Sequence, residues 1–156
     1  MSEEQGFELT LEQVEDFEFR IRFDSAGLGD LSTDEVPPLG HGAGPNPARL
    51  LLAATANCLT ASLLFALHKF HDTPGPLKAR ARVRLARNAG GRWRVADMMV
   101  DVQLADAAAS LPHLDRALAQ FEDFCIVTES VRAGVPVSVR VLDGQGAVVH
   151  ASAPDT

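Results

Sequence analysis

An uncharged run of 18 residues, Leu50–Leu67, constrains the fold of this chain more than any other feature. Its length is sufficient for a helix that spans a bilayer. Four polar side chains lie near its middle, however, where hydrocarbon would penalise them: Thr55, Asn57, Thr60 and Ser62. We therefore predict a long core helix and no membrane insertion.

Local signals place the ends of this helix. Asn46 is a favoured N-cap residue, and Pro47 is favoured at the first helical position. The helix should then run to about Phe70 and stop before Pro74. Because the helix is apolar all round, it needs cover on every face. One small domain supplies too little cover, so we expect a second subunit to pack against it.

The remaining segments predict an α+β fold with mostly antiparallel strands, in the order ββ–α–ββ–α–β. A second helix should begin after Ser110 as its N-cap. We expect residues 24–47 to be mostly loop without any long element, a single domain over residues 1–150 and a disordered tail over residues 151–156. Five stretches alternate apolar and polar residues as half-buried strands do: Phe7–Leu11, Phe17–Phe23, Leu77–Leu85, Trp93–Leu104 and Val135–Val141. The residues between the first two stretches allow a hairpin turn. In the fourth stretch the apolar positions change from odd to even numbers after Val95, which predicts a β-bulge.

Charge and cysteine content limit the compartment and the partners. The net charge is −7, which disfavours nucleic acid and anionic membrane surfaces as partners. The acidic N-terminus, Met1–Gly6, does not resemble a secretory signal. We therefore expect a cytoplasmic protein. In that reducing compartment a cysteine pair is more often catalytic or redox-sensing than structural.

The only two cysteines, Cys58 and Cys125, are the candidate chemical groups. Each also fits as a simple core residue, since free cysteine is among the most buried residue types. Chemistry requires a thiolate, and apolar burial opposes ionisation. Thr55 and Ser62 share the helix face of Cys58 and could donate to it. Cys125 precedes a segment that could begin a short helix, where a thiolate is favoured.

Two segments resemble the cysteine motifs of the OsmC/Ohr family. Asn46–Pro47 opens an apolar helix that carries Cys58 eleven residues after the proline, which is similar to the first motif. Phe121–Thr128 contains Cys125 at the start of a short helix, which is similar to the second. The resemblance covers nearly the whole chain.

The resemblance implies a fold, an assembly and a reaction. It implies an OsmC-like intertwined homodimer, with antiparallel sheets around long buried central helices and active sites at the dimer interface. It further implies a thiol-dependent peroxidase that reduces organic or lipid hydroperoxides in oxidative stress defence, without a cofactor. Cys58 would be the peroxidatic cysteine, oxidised to sulfenic acid. Cys125 would resolve it as a disulfide, which an external dithiol then reduces.

The chain departs from the family at the groups that activate the thiolate. In the best-known members a glutamate follows the Asn-Pro pair and acts with an arginine from the preceding loop. Here Ala48 occupies that position, and the loop over residues 24–47 contains no arginine. These departures favour an alternative, an OsmC-like dimer that binds a hydrophobic ligand or senses redox state without significant peroxidase activity. Candidate substitutes for the missing pair are Arg20, Arg22, Arg132, Glu35 and His41.

Other charged clusters favour plainer interpretations. His68 and His71 lie at the helix end without a third ligand nearby in sequence, so we predict no metal site. Alternating basic residues run along Lys78–Arg84, with Arg92 and Arg94 on the predicted partner strand. Given the net negative charge, this pattern is typical of a solvated sheet face rather than an anion site.

Overall fold

The computed structural model describes residues 5–153. Contacts within the chain divide it into two compact units, Met1–Leu50 and Leu51–Thr156. Short 3-10 turns cover Ala108–Ser110 and Glu122–Phe124. The strands and helices are β1 (Leu9–Glu15), β2 (Glu18–Phe23), β3 (Leu31–Thr33), α1 (Pro47–Lys69), β4 (Lys78–Arg87), β5 (Trp93–Gln103), α2 (Leu114–Leu118), α3 (Ile126–Arg132), β6 (Val137–Leu142) and β7 (Val148–Ser152).

The first unit contains a three-stranded antiparallel sheet in the order β1-β2-β3. The first two strands form the predicted hairpin, in which Leu11 lies opposite Ile21. β3 falls inside the segment 24–47, which the sequence predicted to be mostly loop without any long element. The sequence did not locate these three residues, because a short edge strand needs only the pairing partner that β2 supplies, in which Ile21 also lies opposite Leu31.

The long helix α1 begins as predicted. The Asn46 side-chain oxygen accepts a hydrogen bond from the Arg49 N–H at 3.0 Å, which is the contact of an N-cap. One face of α1 carries unexposed Leu59 and Leu63, whereas Phe65 on another face is 56% exposed. Within one chain the helix is therefore buried on one side only.

α1 also bears on the membrane question. By length and composition alone it is the one helix of residues 5–153 that could cross a bilayer, a test that the core helices of soluble proteins pass as well. The absence of membrane insertion stays a prediction.

The second unit contains a four-stranded mixed sheet in the order β4-β5-β6-β7. β4 and β5 pair in antiparallel fashion with the predicted bulge: Arg84 lies opposite Asp97 and Leu85 opposite Val95, so Ala96 has no partner. β5 and β6 are parallel, which corrects the expectation of an antiparallel sheet. Parallel neighbours require a crossover connection, and the segment that carries α2 and α3 supplies it.

That crossover is broken into short pieces, where the sequence predicted one helix capped by Ser110. Ser110 Oγ donates to the Ala107 carbonyl at 2.8 Å and caps nothing further along. The buried carboxylate of Asp72 instead accepts the His113 N–H at 3.1 Å. This bond satisfies an N–H at the start of α2, so the helix begins at Leu114.

The core of the second unit joins α1 to the crossover and the sheet. Its largest unexposed side chains are Phe121, Leu59, Leu63, Leu67, Met98 and Leu104. The opposite face of the sheet carries the basic stripe. There Arg84 pairs with Asp97 at 2.6 Å, and Arg140 pairs with Asp101 at 2.7 Å, so acidic neighbours partly neutralise the stripe.

The C-terminal strand β7 reaches further than the sequence indicated. Ala151 and Ser152 pair with β6, although we predicted a disordered tail from residue 151 onward. This strand holds only five residues, and its exposed and half-buried positions do not alternate regularly, so the segment does not stand out in the sequence. Residues 154–156 lie outside the described residues.

Candidate active site at the two cysteines

Cys58 is positioned by α1 at the edge of the core of the second unit. Its side chain is half-buried and packs against the buried cluster. It lines a surface depression of about 390 Å³ together with Ala61, Ser62, Phe65 and Phe124. The sulfur therefore lies where a small molecule could reach it, beside an almost wholly apolar wall.

Cys125 lies between the 3-10 turn Glu122–Phe124 and α3, and it is fully buried. It is the N-cap residue of α3: its sulfur accepts a hydrogen bond from the Thr128 N–H at 3.4 Å. The thiol donates in turn to the Thr128 hydroxyl oxygen at 2.9 Å. The sequence predicted a short helix after Cys125, and the structure confirms it.

The fold brings the two thiols together although they are far apart in the sequence. Both cysteines are free. Burial raises the pKa of the Cys125 thiol, and the neighbouring Cys58 side chain raises it further. The hydroxyl and N–H of Thr128 act in the opposite direction but do not offset these two effects. The Cys125 thiol is therefore protonated at neutral pH, and the Cys58 side chain is its neighbour.

The wall of the depression is built from paired aromatic rings. Phe65 of α1 and Phe124 of the 3-10 turn meet edge to face, with ring centroids 5.2 Å apart. The Lys69 ammonium lies over the Phe124 ring, 4.7 Å from its centroid. This arrangement suits an alkyl or aromatic group better than a polar one.

A carboxylate ties together the elements on either side of Cys125. Glu122 accepts hydrogen bonds from Arg132 at 2.5 Å, from His150 at 2.6 Å and from Ser152 at 3.0 Å. These three partners belong to α3 and β7. We call this group the Glu122 cluster. It fixes the 3-10 turn, the helix and the strand around the buried cysteine.

The Glu122 cluster makes the free energy of unfolding depend on pH. Burial alone raises the pKa of Glu122, but the hydrogen bonds from His150, Arg132 and Ser152 outweigh burial, and the pKa falls below its ordinary value. A depressed carboxyl pKa contributes stability that is present above the unfolded pKa and lost as the pH falls through the folded pKa.

We therefore expect Glu122→Gln to be less stable than the native chain at pH 7, with the difference shrinking below the ordinary glutamate pKa of about 4.3. Urea unfolding of both proteins at several pH values measures it. The native chain also loses stability in acid through other carboxylates, so only the difference between the two proteins is informative. A difference that is constant over pH would contradict this account of Glu122.

The sequence profile of the OsmC-like protein family matches residues 40–140, a stretch that contains both cysteines. The chain belongs to the OsmC-like protein family.

Solved OsmC-like structures share this fold over almost their whole length. An OsmC-like protein of unknown function from Vibrio cholerae has a TM-score of 0.74 at 16% identity, over 89% of this chain and 100% of its own. An organic hydroperoxide resistance protein OsmC from Legionella pneumophila has 0.68 at 15%, over 90% and 98%. The organic hydroperoxide resistance protein OhrB of Bacillus subtilis has 0.64 at 19%, over 88% and 98%. None of the curated proteins is significantly similar in sequence.

The OsmC-like chain places its candidate arginines in ion pairs. Arg132 of the second unit binds Glu122 and also Glu129, the latter at 2.6 Å. Within residues 51–153, no arginine donates a hydrogen bond to either sulfur. In the first unit, Arg22 pairs with acidic neighbours at 3.0 and 3.3 Å, and Arg20 lies 4.0 Å from one of them.

The two other candidates lie in the loop before the long helix. Glu35 accepts a hydrogen bond from the Asn46 side chain at 3.4 Å, so it supports the helix start. His41 is exposed and lies 3.2 Å from Asp16. The buried Asp34 shapes this loop, because its carboxylate accepts the N–H groups of His41 and Ala43. In the first unit these side chains therefore have local partners.

The threonine that bonds a cysteine sulfur is not the one that the sequence suggested. Thr55 was a candidate donor to Cys58, but its hydroxyl donates to the Leu51 carbonyl of the preceding turn at 2.9 Å. Thr128, which the sequence analysis did not single out, bonds the sulfur of Cys125 instead. Its position, three residues after a capping Cys125, is the position that N-cap side chains bond, and this signal could have identified it. Among residues 5–153, no group of three histidine, cysteine or acidic side chains is arranged to hold a metal.

Proposed function

We propose that this chain is a thiol-dependent peroxidase that reduces organic or lipid hydroperoxides, with Cys58 as the peroxidatic and Cys125 as the resolving cysteine. The observation that carries the proposal is that the fold makes neighbours of two free thiols, so that the Cys58 side chain acts on the pKa of Cys125. Membership in a family that includes hydroperoxide resistance proteins supports it. The half-buried Cys58 sulfur reacts with the oxidant first, and the buried Cys125 sulfur then forms the disulfide with it.

The proposed reaction has three steps. The Cys58 thiolate attacks the terminal peroxide oxygen, the O–O bond breaks, and the alkoxide leaves as an alcohol after it takes up a proton. Cys58 is then a sulfenic acid. The Cys125 sulfur displaces its hydroxyl, so a disulfide and water form. An external dithiol reduces the disulfide and is itself oxidised to a disulfide.

The apolar depression supplies the preference for organic substrates. Phe65 and Phe124 would contact the alkyl or aryl group of a hydroperoxide while the peroxide end approaches Cys58. Burial of apolar surface contributes about 25 cal/mol per Å² to such binding. Hydrogen peroxide has no apolar group to bury and should be the poorer substrate.

The exposed side of α1 supports a homodimer. Phe65 is 56% exposed and Leu64 is 37% exposed, and both would be covered by a second copy of the chain. We propose an intertwined homodimer with the site at its interface, in the cytoplasm, where thiol reductants keep the cysteines reduced.

The direct test is catalytic consumption of cumene hydroperoxide by the purified chain with dithiothreitol as reductant. We expect many turnovers per subunit, and faster consumption of cumene hydroperoxide than of hydrogen peroxide because of the aromatic wall. Consumption no faster than with dithiothreitol alone would contradict a peroxidase.

A second candidate function is a dimer that binds a hydrophobic ligand or senses redox state. Ala48 in place of the family glutamate favours it, as does the lack of an arginine bonded to either sulfur within residues 51–153. This candidate predicts binding of an alkyl-chain fluorescent probe that Phe65→Ser weakens, together with sulfenic acid formation no faster than that of a free thiol.

A further inference from the structure

Thr128 is bonded twice to the sulfur of Cys125. Its hydroxyl oxygen lies 2.9 Å from the sulfur and accepts the thiol proton, while its backbone N–H donates to the same sulfur at 3.4 Å. Both residues are fully buried, so no water competes for these bonds. Thr128 is the hydrogen-bond partner that meets the sulfur of Cys125 through both its side chain and its backbone.

A hydroxyl can reverse its role without moving its oxygen. It carries one donor and two acceptor positions, and its hydrogen rotates to suit the neighbour. While Cys125 is a thiol, the hydroxyl accepts. Once the sulfur carries negative charge, the same hydroxyl can turn its hydrogen toward it, and the thiolate is then held by two donors from one residue.

Such a reversal answers a difficulty in the resolving step. The nucleophile in disulfide formation is a thiolate, yet Cys125 lies in an apolar environment that opposes ionisation. The contact with the Cys58 sulfur also disfavours charge on Cys125, whereas both contacts with Thr128 favour it. Hydrogen bonds to a charged group are stronger than those to a neutral one, so the benefit grows as charge develops.

We propose that Thr128 is a catalytic residue of the resolving step, whose hydroxyl changes from acceptor to donor as the Cys125 sulfur attacks oxidised Cys58. The inference rests on the proposed function. In this step the S–S bond forms and the S–O bond of the sulfenic acid breaks. The departing hydroxide takes up the proton that Cys125 loses and leaves as water. Cys125 is oxidised and the sulfenic sulfur of Cys58 is reduced, so no further reagent is needed.

The same two contacts with Thr128 should also assist the reduction of the disulfide. When an external thiolate attacks the Cys58 sulfur of the disulfide, Cys125 is the leaving group. Thiolates leave faster when they are stabilised. Thr128 would then stabilise the Cys125 thiolate as it departs, before a proton returns to it and the hydroxyl accepts once more.

The test compares Thr128→Val, which removes the hydroxyl and keeps the shape and backbone N–H, with Thr128→Ser, which keeps the hydroxyl. After one equivalent of cumene hydroperoxide, samples are quenched with dimedone and analysed by mass spectrometry for sulfenic acid and disulfide. We expect unchanged sulfenic acid formation in both variants. Disulfide formation should be about 10- to 100-fold slower in Thr128→Val, the range for loss of one hydrogen bond to a charged group, and near native in Thr128→Ser.

A second arm works without a hydroperoxide. The Cys58 thiolate adds to the N=N bond of diamide. The Cys125 sulfur then attacks the Cys58 sulfur of this adduct, so the S–N bond breaks, the S–S bond forms and the protonated hydrazine leaves. Diamide therefore reports the resolving step even if the native chain forms no sulfenic acid and the proposed function fails. In a Cys58→Ser background, the pH profile of Cys125 alkylation should move to higher pH in Thr128→Val and stay in place in Thr128→Ser. Circular dichroism checks folding, and Thr128→Ala replaces the valine variant if that one does not fold.

Equal rates of disulfide formation in the native chain and Thr128→Val, by either oxidant, would overturn the proposal. So would an unmoved alkylation profile. Equal slowing in Thr128→Val and Thr128→Ser would overturn it as well, since the serine hydroxyl keeps the bond on which the inference depends.

Discussion

Replacing Cys58 with serine is expected to reduce hydroperoxide consumption to the rate of the reductant alone. A serine hydroxyl is not ionised near neutral pH, and its oxygen cannot accept the peroxide oxygen as sulfur does. The substitution removes one half-buried sulfur and should leave the fold intact. Consumption of cumene hydroperoxide in the presence of dithiothreitol measures the effect.

Cys125→Ser is the matched comparison, because it removes the other sulfur of the same pair. This variant should consume one equivalent of hydroperoxide per subunit and then stop, with Cys58 trapped by dimedone as sulfenic acid. A small thiol added in excess should restart it by taking the place of Cys125.

The two variants together assign the roles. Residual turnover in Cys58→Ser equal to that of the native chain would end the peroxidase proposal. Accumulation of sulfenic acid on Cys125 in Cys58→Ser would indicate that Cys125 is the peroxidatic cysteine. Undiminished turnover in both variants would show that neither sulfur has the role assigned to it.

The largest effect on stability is expected from Phe121→Ala. Phe121 is unexposed, lies in the core of the second unit, and meets the His150 ring edge to face with centroids 5.2 Å apart. Truncation of a buried phenylalanine leaves a cavity and costs about 3–5 kcal/mol of unfolding free energy. Phe121 also adjoins Glu122, so loss of the ring should loosen the Glu122 cluster and the turn before Cys125.

Phe7→Ala provides the control, since the same atoms are removed from a side chain that is 88% exposed. We expect the control to change the unfolding free energy by less than about 0.5 kcal/mol. Urea unfolding of the three proteins at one pH compares them. A loss below about 1 kcal/mol in Phe121→Ala would show that the site collapses without a cavity, contrary to the close packing seen around the ring.

Much of the architecture follows from short-range patterns. Asn46 and Pro47 fixed the start of α1 because capping is a local hydrogen-bond requirement, and the structure shows that bond. The change of apolar phase in β5 predicted the bulge at Ala96, since side chains alternate strictly along a strand. These features needed no knowledge of the rest of the chain.

The features that the sequence did not predict have a different cause. β3 and β7 are short strands whose existence depends on an available neighbour, and the parallel pairing of β5 with β6 depends on the path of the crossover. The helix expected after Ser110 was divided because the carboxylate of Asp72, distant in sequence, bonds His113. Tertiary partners decided these elements, and such partners leave no periodic signal.

In the candidate site, too, local features could be predicted from the sequence and tertiary contacts could not. Both cysteines could be selected from their sequence motifs, but their contact is a product of folding. The Glu122 cluster joins residues of three elements, and no spacing rule connects Glu122 with His150. Thr128 lies three residues after Cys125, where an N-cap side chain finds its N–H donor, so this contact follows from the sequence once Cys125 is taken as the cap.

The parallel pairing of β5 and β6 has a mechanical consequence. A connection between parallel neighbours must return from the end of one strand to the beginning of the next, and here that return path carries Cys125. It consists of short helical pieces joined by turns, and the Glu122 cluster holds the pieces on either side of Cys125 against β7. Cys125 is therefore tied to the sheet, whereas Cys58 belongs to a continuous helix of 23 residues. A covalent bond between the two sulfurs would crosslink the long helix to the sheet layer.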